Sequence, residues 1–282
     1  MIENYLKTVL LLGALTGLLF IVGGLIGGQN GLTVALFLAV IMNFGAFFFS
    51  HKLVLAMYRA KEAPKGQYPK LHAMVEEICK KAELPKPKVY IIPTPASNAF
   101  ATGPSKKKAV VAVTEGIMRL LTPEELKGVL AHEIGHIKNK DMVITTIAAT
   151  IAAVISYIAS MARFVAIFGG GRDNDGRSNM LQLLVLAILA PLIALIIQLA
   201  ISRSREYLAD ERGARLIHDG EPLARALAKL ESDNKQHPLR FGSPTTSSLF
   251  IVRPFAPSTL VNLFSTHPSI ESRVKRLREL GK

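Results

Sequence analysis

Three residues able to bind a metal or transfer a proton stand close together in the sequence Ala131-His132-Glu133-Ile134-Gly135-His136. His132 and His136 are four positions apart, which places both imidazoles on one face of a helix, where they can hold one metal ion. Glu133, beside the first histidine, can then reach a water on that metal. A solvated helix with two surface histidines and a glutamate would show the same pattern by coincidence. The pattern alone leaves both interpretations open.

A catalytic zinc usually takes three protein ligands and keeps a fourth position for water, so a further His, Glu or Asp is needed. Glu206 is a candidate in the segment Glu206-Tyr207-Leu208-Ala209-Asp210, which lies on a second predicted helix. Asp210 follows one turn later on the same face and can accept a hydrogen bond from the other ring nitrogen of a histidine ligand. Taken alone, the two carboxylates would be ordinary surface charges. Beside the histidine motif they are its expected partners.

The helix that carries the motif has a clear start. Thr122 can act as the cap, Pro123 suits the first helical position, and Glu125 is placed to close a capping box. We expect this helix to run to about Lys140. The next uncharged stretch begins directly after Asp141 without an intervening Gly or Pro, so the helix is expected to continue into it as one rod or with a slight bend.

The segments around this helix predict a small α+β domain. Residues 68 to 82 have the periodicity of an amphipathic helix, and helices are also expected from 203 to 218, from 222 to 231 and from 268 to 280. Short β-prone runs at 89–92, 99–101 and 110–113 predict a small antiparallel or mixed sheet. Lys106-Lys107-Lys108 is expected to be a solvated turn between strands, and 233–260 a long loop over the site.

Long stretches without any charged residue predict membrane spans. No Lys, Arg, Asp or Glu occurs between Lys7 and Lys52, between Asp141 and Arg163, or between Arg177 and Arg203. A span needs about 20 apolar residues, and the first stretch is long enough for two. We therefore expect four transmembrane helices at roughly 5–26, 32–55, 142–162 and 180–201. A cleaved signal peptide is the alternative for the first, but no clean cleavage site follows it.

These spans divide the chain into four parts. Residues 1–58 form an N-terminal transmembrane hairpin and residues 142–201 a second one. Residues 59–141 and 202–282 are the two halves of one polar domain. Thirteen Lys and Arg residues near the span ends lie on the side of that domain, against Arg163, Arg172 and Arg177 on the other. Cytoplasmic flanks are enriched in these residues, so the polar domain and both termini are expected in the cytoplasm.

Composition excludes some functions. The formal net charge of +13 could suggest a nucleic-acid partner, but positive flanks facing an anionic leaflet explain it, and no aromatic residues interleave the lysines. No nucleic acid is expected. The single cysteine, Cys79, rules out an internal disulfide and fits a reducing compartment.

The sequence resembles the HtpX-type membrane zinc metallopeptidases, relatives of the CAAX prenyl proteases, along nearly its whole length. The resemblance rests on paired N-terminal spans, Asn98-Ala99-Phe100-Ala101-Thr102-Gly103, the His132-to-His136 helix, two spans before Ser202-Arg203-Ser204-Arg205-Glu206, and His267-Pro268 ahead of a basic helix with Arg273. It implies four transmembrane helices and a gluzincin-like peptidase domain with a small sheet and an active-site helix.

The resemblance also implies roles for individual residues. His132, His136 and Glu206 would bind one Zn²⁺ per chain, and Glu133 would be the general base that also carries the proton to the leaving amine. Asn98 and Ala99 would lie on an edge strand that pairs with extended substrate. His267 would stabilise the oxyanion, although a His-Pro pair in a loop is also found in simple turns. Arg273 would support the site by pairing with a carboxylate.

The expected function is that of a membrane-anchored zinc endopeptidase that cleaves misfolded or damaged membrane proteins, or other unfolded polypeptides, on the cytoplasmic side. The expected location is the cell (inner) membrane, with the bilayer as a partner. An intramembrane metalloprotease would place the motif inside an apolar span, whereas Lys127, Lys138 and Lys140 flank it here. A transporter would carry ionisable residues within its spans. A catalytically inactive membrane scaffold is the remaining alternative, which the intact ligand set disfavours.

Overall fold

The computed structural model describes residues 51–168, 174–238, 249–252 and 268–280, with short stretches and single residues between Leu6 and Phe37. The chain divides into two units. The first comprises Met1–Asn4, Phe47–Val143 and Arg203–Lys282, and the second comprises Tyr5–Ala46 and Ile144–Ser202. Each candidate site residue that the structure describes belongs to the first unit.

A four-stranded mixed sheet lies in the first unit. Its strands are β1 (Lys61–Glu62), β2 (Lys88–Ile92), β3 (Ala99–Thr102) and β4 (Val110–Thr114), in the spatial order β1-β2-β4-β3. β2 and β4 are parallel, and the other two pairs are antiparallel. The three strands expected from the sequence are present, and β1 is an addition. β3 forms one edge of the sheet, and a 3₁₀ turn at Lys106–Lys108 connects it to β4.

Both faces of the sheet are covered, which explains why β4 is buried at every position. Val111 and Val113 pack into the core that includes the helices, whereas Val110 and Ala112 pack on the opposite face near Phe250. This alternation follows from the two-residue period of a strand. The sheet is therefore an interior layer, and β3 is held at a fixed position beside the helices.

The helices whose bounds the structure describes are α1 (Pro69–Ala82), α2 (Glu115–Leu120), α3 (Pro123–Asn139), α4 (Asp141–Phe168), α5 (Asn174–Ile217), α6 (Glu221–Gln236) and α7 (Ile270–Leu280). α3 packs against α1, α6 and β3. Its apolar residues, including Val129, Leu130 and Ile134, belong to the main core. This packing explains how a helix can also bury the polar side chains of His132 and Glu133.

The start of α3 has the expected capping box. The Thr122 hydroxyl accepts a hydrogen bond from the Glu125 backbone at 3.3 Å, and the Glu125 carboxylate accepts one from the Thr122 backbone at 3.0 Å. Two backbone N–H groups that a helix start leaves open are thereby paired. The capping prediction is confirmed.

The expected continuation of α3 into the next apolar stretch as one rod is wrong. Lys140 adopts a left-handed conformation with φ 58° and ψ 36°, and its backbone N–H turns back to the carbonyls of His136 and Ile137. This is the usual way in which a helix ends, and it breaks the ladder of hydrogen bonds. A new helix, α4, then begins at Asp141.

α5 is a single helix of 44 residues where the sequence predicts a span followed by a separate helix. Pro191 lies inside it, at a position where neighbouring residues are apolar. The part Ala187–Ile217 is, among the described residues, the one helical segment long and apolar enough to cross a membrane by length and composition. The span expected at 5–26 is described only in part, and most of the span expected at 32–55 lies outside the described residues.

The second unit has its own apolar core. Leu15, Leu19 and Val22 contribute to this core together with residues of α4 such as Ile155 and residues of α5 such as Ala194. Several of its large apolar side chains are exposed, including Ile188, Leu189, Ile193 and Ile196. An apolar outer surface is what a bilayer would cover.

Candidate metal centre

Two glycines allow the motif helix α3 and the helix α5 to touch. A Cβ atom at Gly213 would lie 2.9 Å from the backbone nitrogen of His132, and one at Gly135 would lie 3.1 Å from the Ala209 carbonyl oxygen. Side chains at these positions would push the helices apart. The close approach brings the carboxylates of α5 to the histidines of α3.

His132, His136 and Glu206 form a cluster in which one potential ligand atom from each residue lies within 4.8 Å of the others. The two Nε2 atoms are 3.0 Å apart. The Glu206 carboxylate lies 3.4 Å from Nε2 of His136 and 3.8 Å from Nε2 of His132. The structure thus brings together three residues that the sequence places on two different helices.

The other nitrogen of each imidazole contacts a carboxylate. Nδ1 of His132 lies 2.9 Å from Asp210, and Nδ1 of His136 lies 2.7 Å from Asp141. A neutral histidine that donates through Nδ1 has a lone pair on Nε2. Both lone pairs then point to the same place, which is the arrangement that carboxylate partners impose on histidine ligands.

Arg273 is fully buried and holds the carboxylate behind His132. Its guanidinium donates two hydrogen bonds to Asp210, at 2.8 and 2.7 Å, and a third to the Ile251 carbonyl at 2.9 Å. It also lies 3.2 Å from Glu206. One arginine therefore fixes both a metal-ligand candidate and the partner of another, and α7 supplies it from the far end of the chain.

Asp141 and Arg205 make a second contact of this kind, which was not predicted from the sequence. The buried guanidinium of Arg205 pairs with Asp141 and also donates to the Asn139 carbonyl at 3.1 Å. The available signal was the position of these charges: Asp141 ends the polar domain immediately before an uncharged stretch, and Arg205 precedes Glu206. A charge that close to apolar segments needs a partner.

Glu133 is 1% exposed and adjoins the cluster. Burial raises the pKa of its carboxyl to about 7, although the nearby His136 opposes this. The backbone of Ala101 hydrogen bonds to the carboxylate, while Oε1 has no hydrogen-bond partner among the described residues. An acceptor buried without a partner carries a cost of about 1 to 3 kcal/mol, which a bound water would relieve.

The cluster has the chemistry of a site for a divalent cation. Two imidazole lone pairs 3.0 Å apart and a carboxylate repel one another unless positive charge lies between them. In the absence of a metal ion, protonation of His136 can supply this positive charge. Burial disfavours its charged form, but hydrogen bonds to Asp141 and Glu206 outweigh burial and hold the pKa of His136 well above its usual value. A metal ion would supply the same charge, so the residues fit one.

The residues expected to receive substrate contact another part of the chain. Asn98 is fully buried, and its amide donates to the Val252 carbonyl at 2.7 Å. The Ala99 carbonyl accepts a hydrogen bond from the Ile251 backbone at 3.1 Å. At this point the edge of β3 is paired with the segment that contains Ile251, and pairing with an extended substrate remains a prediction for Asn98 and Ala99. His267 lies outside the described residues.

The comparison with protein families agrees with this site. The model of peptidase family M48 matches residues 65–281, which is most of the chain, and the chain belongs to that family. It is therefore a protease of a metallo-type family, and the family implies a metal.

Its relatives include proteins described as "Protease HtpX homolog". The one from Syntrophobacter fumaroxidans is 52% identical over 277 residues, covering 97% of this chain and 98% of the relative. The one from Pyrococcus furiosus is 49% identical over 278 residues, covering 98% and 96%. The family resemblance noted from the sequence is confirmed.

A solved structure, the crystal structure of Ste24p from S. mikatae, has a similar fold. The TM-score is 0.56 at 20% sequence identity, and the match covers 98% of this chain and 65% of that protein. This similarity concerns the fold alone.

Proposed function

We propose that this protein is a zinc endopeptidase, held in the cell membrane by four spans, that cleaves misfolded or damaged membrane proteins on the cytoplasmic side. The observation that carries the proposal is the convergence of His132, His136 and Glu206 on one point, with the Glu133 carboxylate beside them. Family membership supports peptide hydrolysis as the reaction.

The donor set favours zinc. Two imidazole nitrogens and one carboxylate are a usual set for catalytic zinc, which keeps a further position for water. When bound, the metal supplies Lewis acidity that polarises the scissile carbonyl and lowers the pKa of a water towards about 7. Asp210 and Asp141 keep the two imidazoles in the tautomer that presents Nε2.

Glu133 acts as the general base and then as the general acid. Its carboxylate takes one proton from the attacking water while the new C–O bond forms. It passes that proton to the leaving nitrogen as the C–N bond breaks, so the products are a carboxylic acid, which ionises, and an amine. The protein needs no nucleophilic Ser or Cys. Arg273 stays a positioning residue for Asp210 and Glu206, and His267 remains our proposed second donor to the oxyanion.

An extended substrate pairs with β3 beyond the part that Ile251 occupies. Thr114 donates its backbone N–H to the Asn98 carbonyl at 3.0 Å, so residues 98, 100 and 102 direct their backbone groups towards β4. The backbone N–H and C=O of Ala101 therefore point away from β4, and the backbone of Ala101 hydrogen bonds to Glu133. A peptide added along this edge would bring a backbone carbonyl to the metal centre. Asn98 and Ala99 hold this edge in position at the end of β3 where they hydrogen bond to Val252 and Ile251.

The membrane part of the proposal rests on the uncharged stretches, on the apolar segment Ala187–Ile217, and on the excess of Lys and Arg beside the polar domain. A cysteine placed in the segment 171–179 of a Cys79→Ser protein should react with an impermeant thiol reagent on intact cells. A cysteine at Lys65 should react only after lysis. The reverse labelling would overturn the cytoplasmic assignment.

The central test uses detergent-purified, full-length protein. We expect one zinc per chain, casein digestion that a chelator abolishes, and loss of both zinc and activity in Glu206→Ala because two histidines hold zinc poorly. Glu133→Gln should keep the zinc while the rate falls by about 10² to 10⁴. If Glu133→Gln digested casein at the original rate, Glu133 would be removed from the mechanism.

A further inference from the structure

A pocket of about 230 Å³ opens beside His136. One wall is the end of β3 and the turn after it, with Thr102 and Lys106. The other is the end of α3 and the start of α4, with Ile137, Lys140 and Met142. The volume is below the range of about 300 to 1,000 Å³ that suits drug-sized ligands, and it suits a single amino-acid side chain.

The walls of this pocket are mostly apolar, and its charged lining residues are lysines. Ile137 and Ala109 are buried, and Met142 is half-buried. Lys106 is half-buried and Lys140 is exposed, and neither amine is in an ion pair within the part of the chain that the structure describes. No Asp or Glu belongs to the lining. The pocket therefore offers positive charge without a carboxylate of its own to neutralise it.

The position of the pocket assigns it to one residue of the substrate. β3 runs from Ala99 to Thr102, so a strand that pairs with it in the antiparallel sense has its N-terminal half beside Thr102. His136, in the pocket wall, is also one of the three clustered residues. The side chain that enters the pocket is thus the one immediately N-terminal to the bond at the metal centre.

We propose that this pocket is a specificity site that selects an acidic substrate residue, Glu or Asp, on the N-terminal side of the cleaved bond. The inference rests on the proposed peptidase function and adds a substrate class to it. A Glu side chain places its methylene groups against the apolar walls and its carboxylate between the amines of Lys106 and Lys140. A Lys or Arg at the same position meets like charge, which costs free energy rather than contributing it.

The test compares isosteric substrates. Two quenched fluorescent peptides that differ only by Glu or Gln at the residue before the cleaved bond are digested by the zinc-loaded, full-length protein. We expect kcat/KM to be about tenfold higher for the Glu peptide, the size that two partly screened charge contacts produce, and the ratio to fall as salt is raised. Cleavage sites in casein, mapped by mass spectrometry, should be enriched in Glu and Asp at that position.

Two variants and a control assign the effect to the pocket. Lys106→Met combined with Lys140→Met should bring the Glu-to-Gln ratio close to one. Lys106→Glu should reverse it in favour of a Lys peptide. Lys107→Met is the matched control, because Lys107 is an exposed neighbour in the same 3₁₀ turn and does not line the pocket, so it should keep the original ratio.

The possible failures are distinguishable. If both peptides are cleaved by the zinc-loaded protein at equal rates, or if Lys107→Met changes the ratio as strongly as the pocket variants do, the specificity proposal is overturned and the peptidase function stands. If no peptide or casein is cleaved and Glu133→Gln behaves like the unmodified protein, the peptidase function fails and the specificity proposal fails with it.

Discussion

The two histidines of the metal centre are supported by two similar sets of residues. His132 contacts Asp210, which Arg273 holds, and His136 contacts Asp141, which Arg205 holds. In both sets a buried arginine holds a carboxylate in place, and that carboxylate sets the orientation of the histidine imidazole. The two sets differ in how the chain builds them and in how far water reaches them.

The set at His132 joins distant parts of the chain and is closed to solvent. α3, α5 and α7 each contribute one residue, and Arg273 also contacts Glu206. The set at His136 lies at a helix end, because Asp141 follows α3 directly and Arg205 donates to the Asn139 carbonyl. His132 is not exposed at all, whereas the His136 side chain is 17% exposed. The residues around His132 should therefore contribute more to the folding stability and metal affinity of the centre than the residues around His136.

The largest effect is expected when Arg273 is removed. Arg273→Met leaves the carboxylates of Asp210 and Glu206 buried without their cation, and a broken buried pair costs about 3 to 5 kcal/mol. We expect a much lower melting temperature for the zinc-free protein in detergent, together with weaker zinc binding. Lys275→Met, on the exposed face of the same helix, is the control and should leave both values unchanged. An unchanged melting temperature in Arg273→Met would contradict the role of this arginine.

A smaller and more selective effect is expected from the carboxylates. Removing a partner of a histidine ligand typically lowers metal affinity by about 10- to 100-fold. Asp210→Asn should lie near the upper value, because no water can replace its contact with His132, and Asp141→Asn near the lower value. Zinc affinity is measured by competition with a chromophoric chelator. Equal losses, or a larger loss in Asp141→Asn, would show that the two sets do not differ as the burial suggests.

The smallest effect is expected at the start of α3, away from both sets. Thr122→Ala removes one half of the capping box and should cost about 1 kcal/mol of unfolding free energy. Zinc affinity and the turnover of the folded enzyme should stay at their original values. Thermal unfolding and chelator competition on the same sample separate the two quantities. A fall in zinc affinity would mean that general loss of helix stability, rather than the carboxylates, controls the metal centre.

Local chemistry was predictable from the sequence, and contacts between distant segments were not. The capping box, the three main strands and the four-residue spacing of His132 and His136 depend on near neighbours, so the sequence indicates them directly. Asn98 contacts Val252, 154 positions away, and no local pattern reports that the edge of β3 is paired there. The resemblance to a family supplied Arg273, but not Arg205.

The end of α3 was also beyond local prediction. Lys140 is an ordinary helix former, and its own preference does not indicate the left-handed conformation that it adopts between α3 and α4. The same applies to α5, where Pro191 would normally end a helix. The helix nevertheless continues through Pro191, which lies in an apolar stretch.

The position of the carboxylates depends on the rotational phase of α5. The helix runs unbroken from Glu206 and Asp210 to Gly213, the glycine at which it touches α3. Each residue added to an α-helix rotates the remainder of that helix by about 100° and advances it by about 1.5 Å. One residue inserted between Asp210 and Gly213 would therefore turn both carboxylates away from the histidines if the contact at Gly213 is kept, however well the inserted residue suited a helix. The number of residues between the carboxylates and this glycine determines the metal centre as much as the identity of its ligands does.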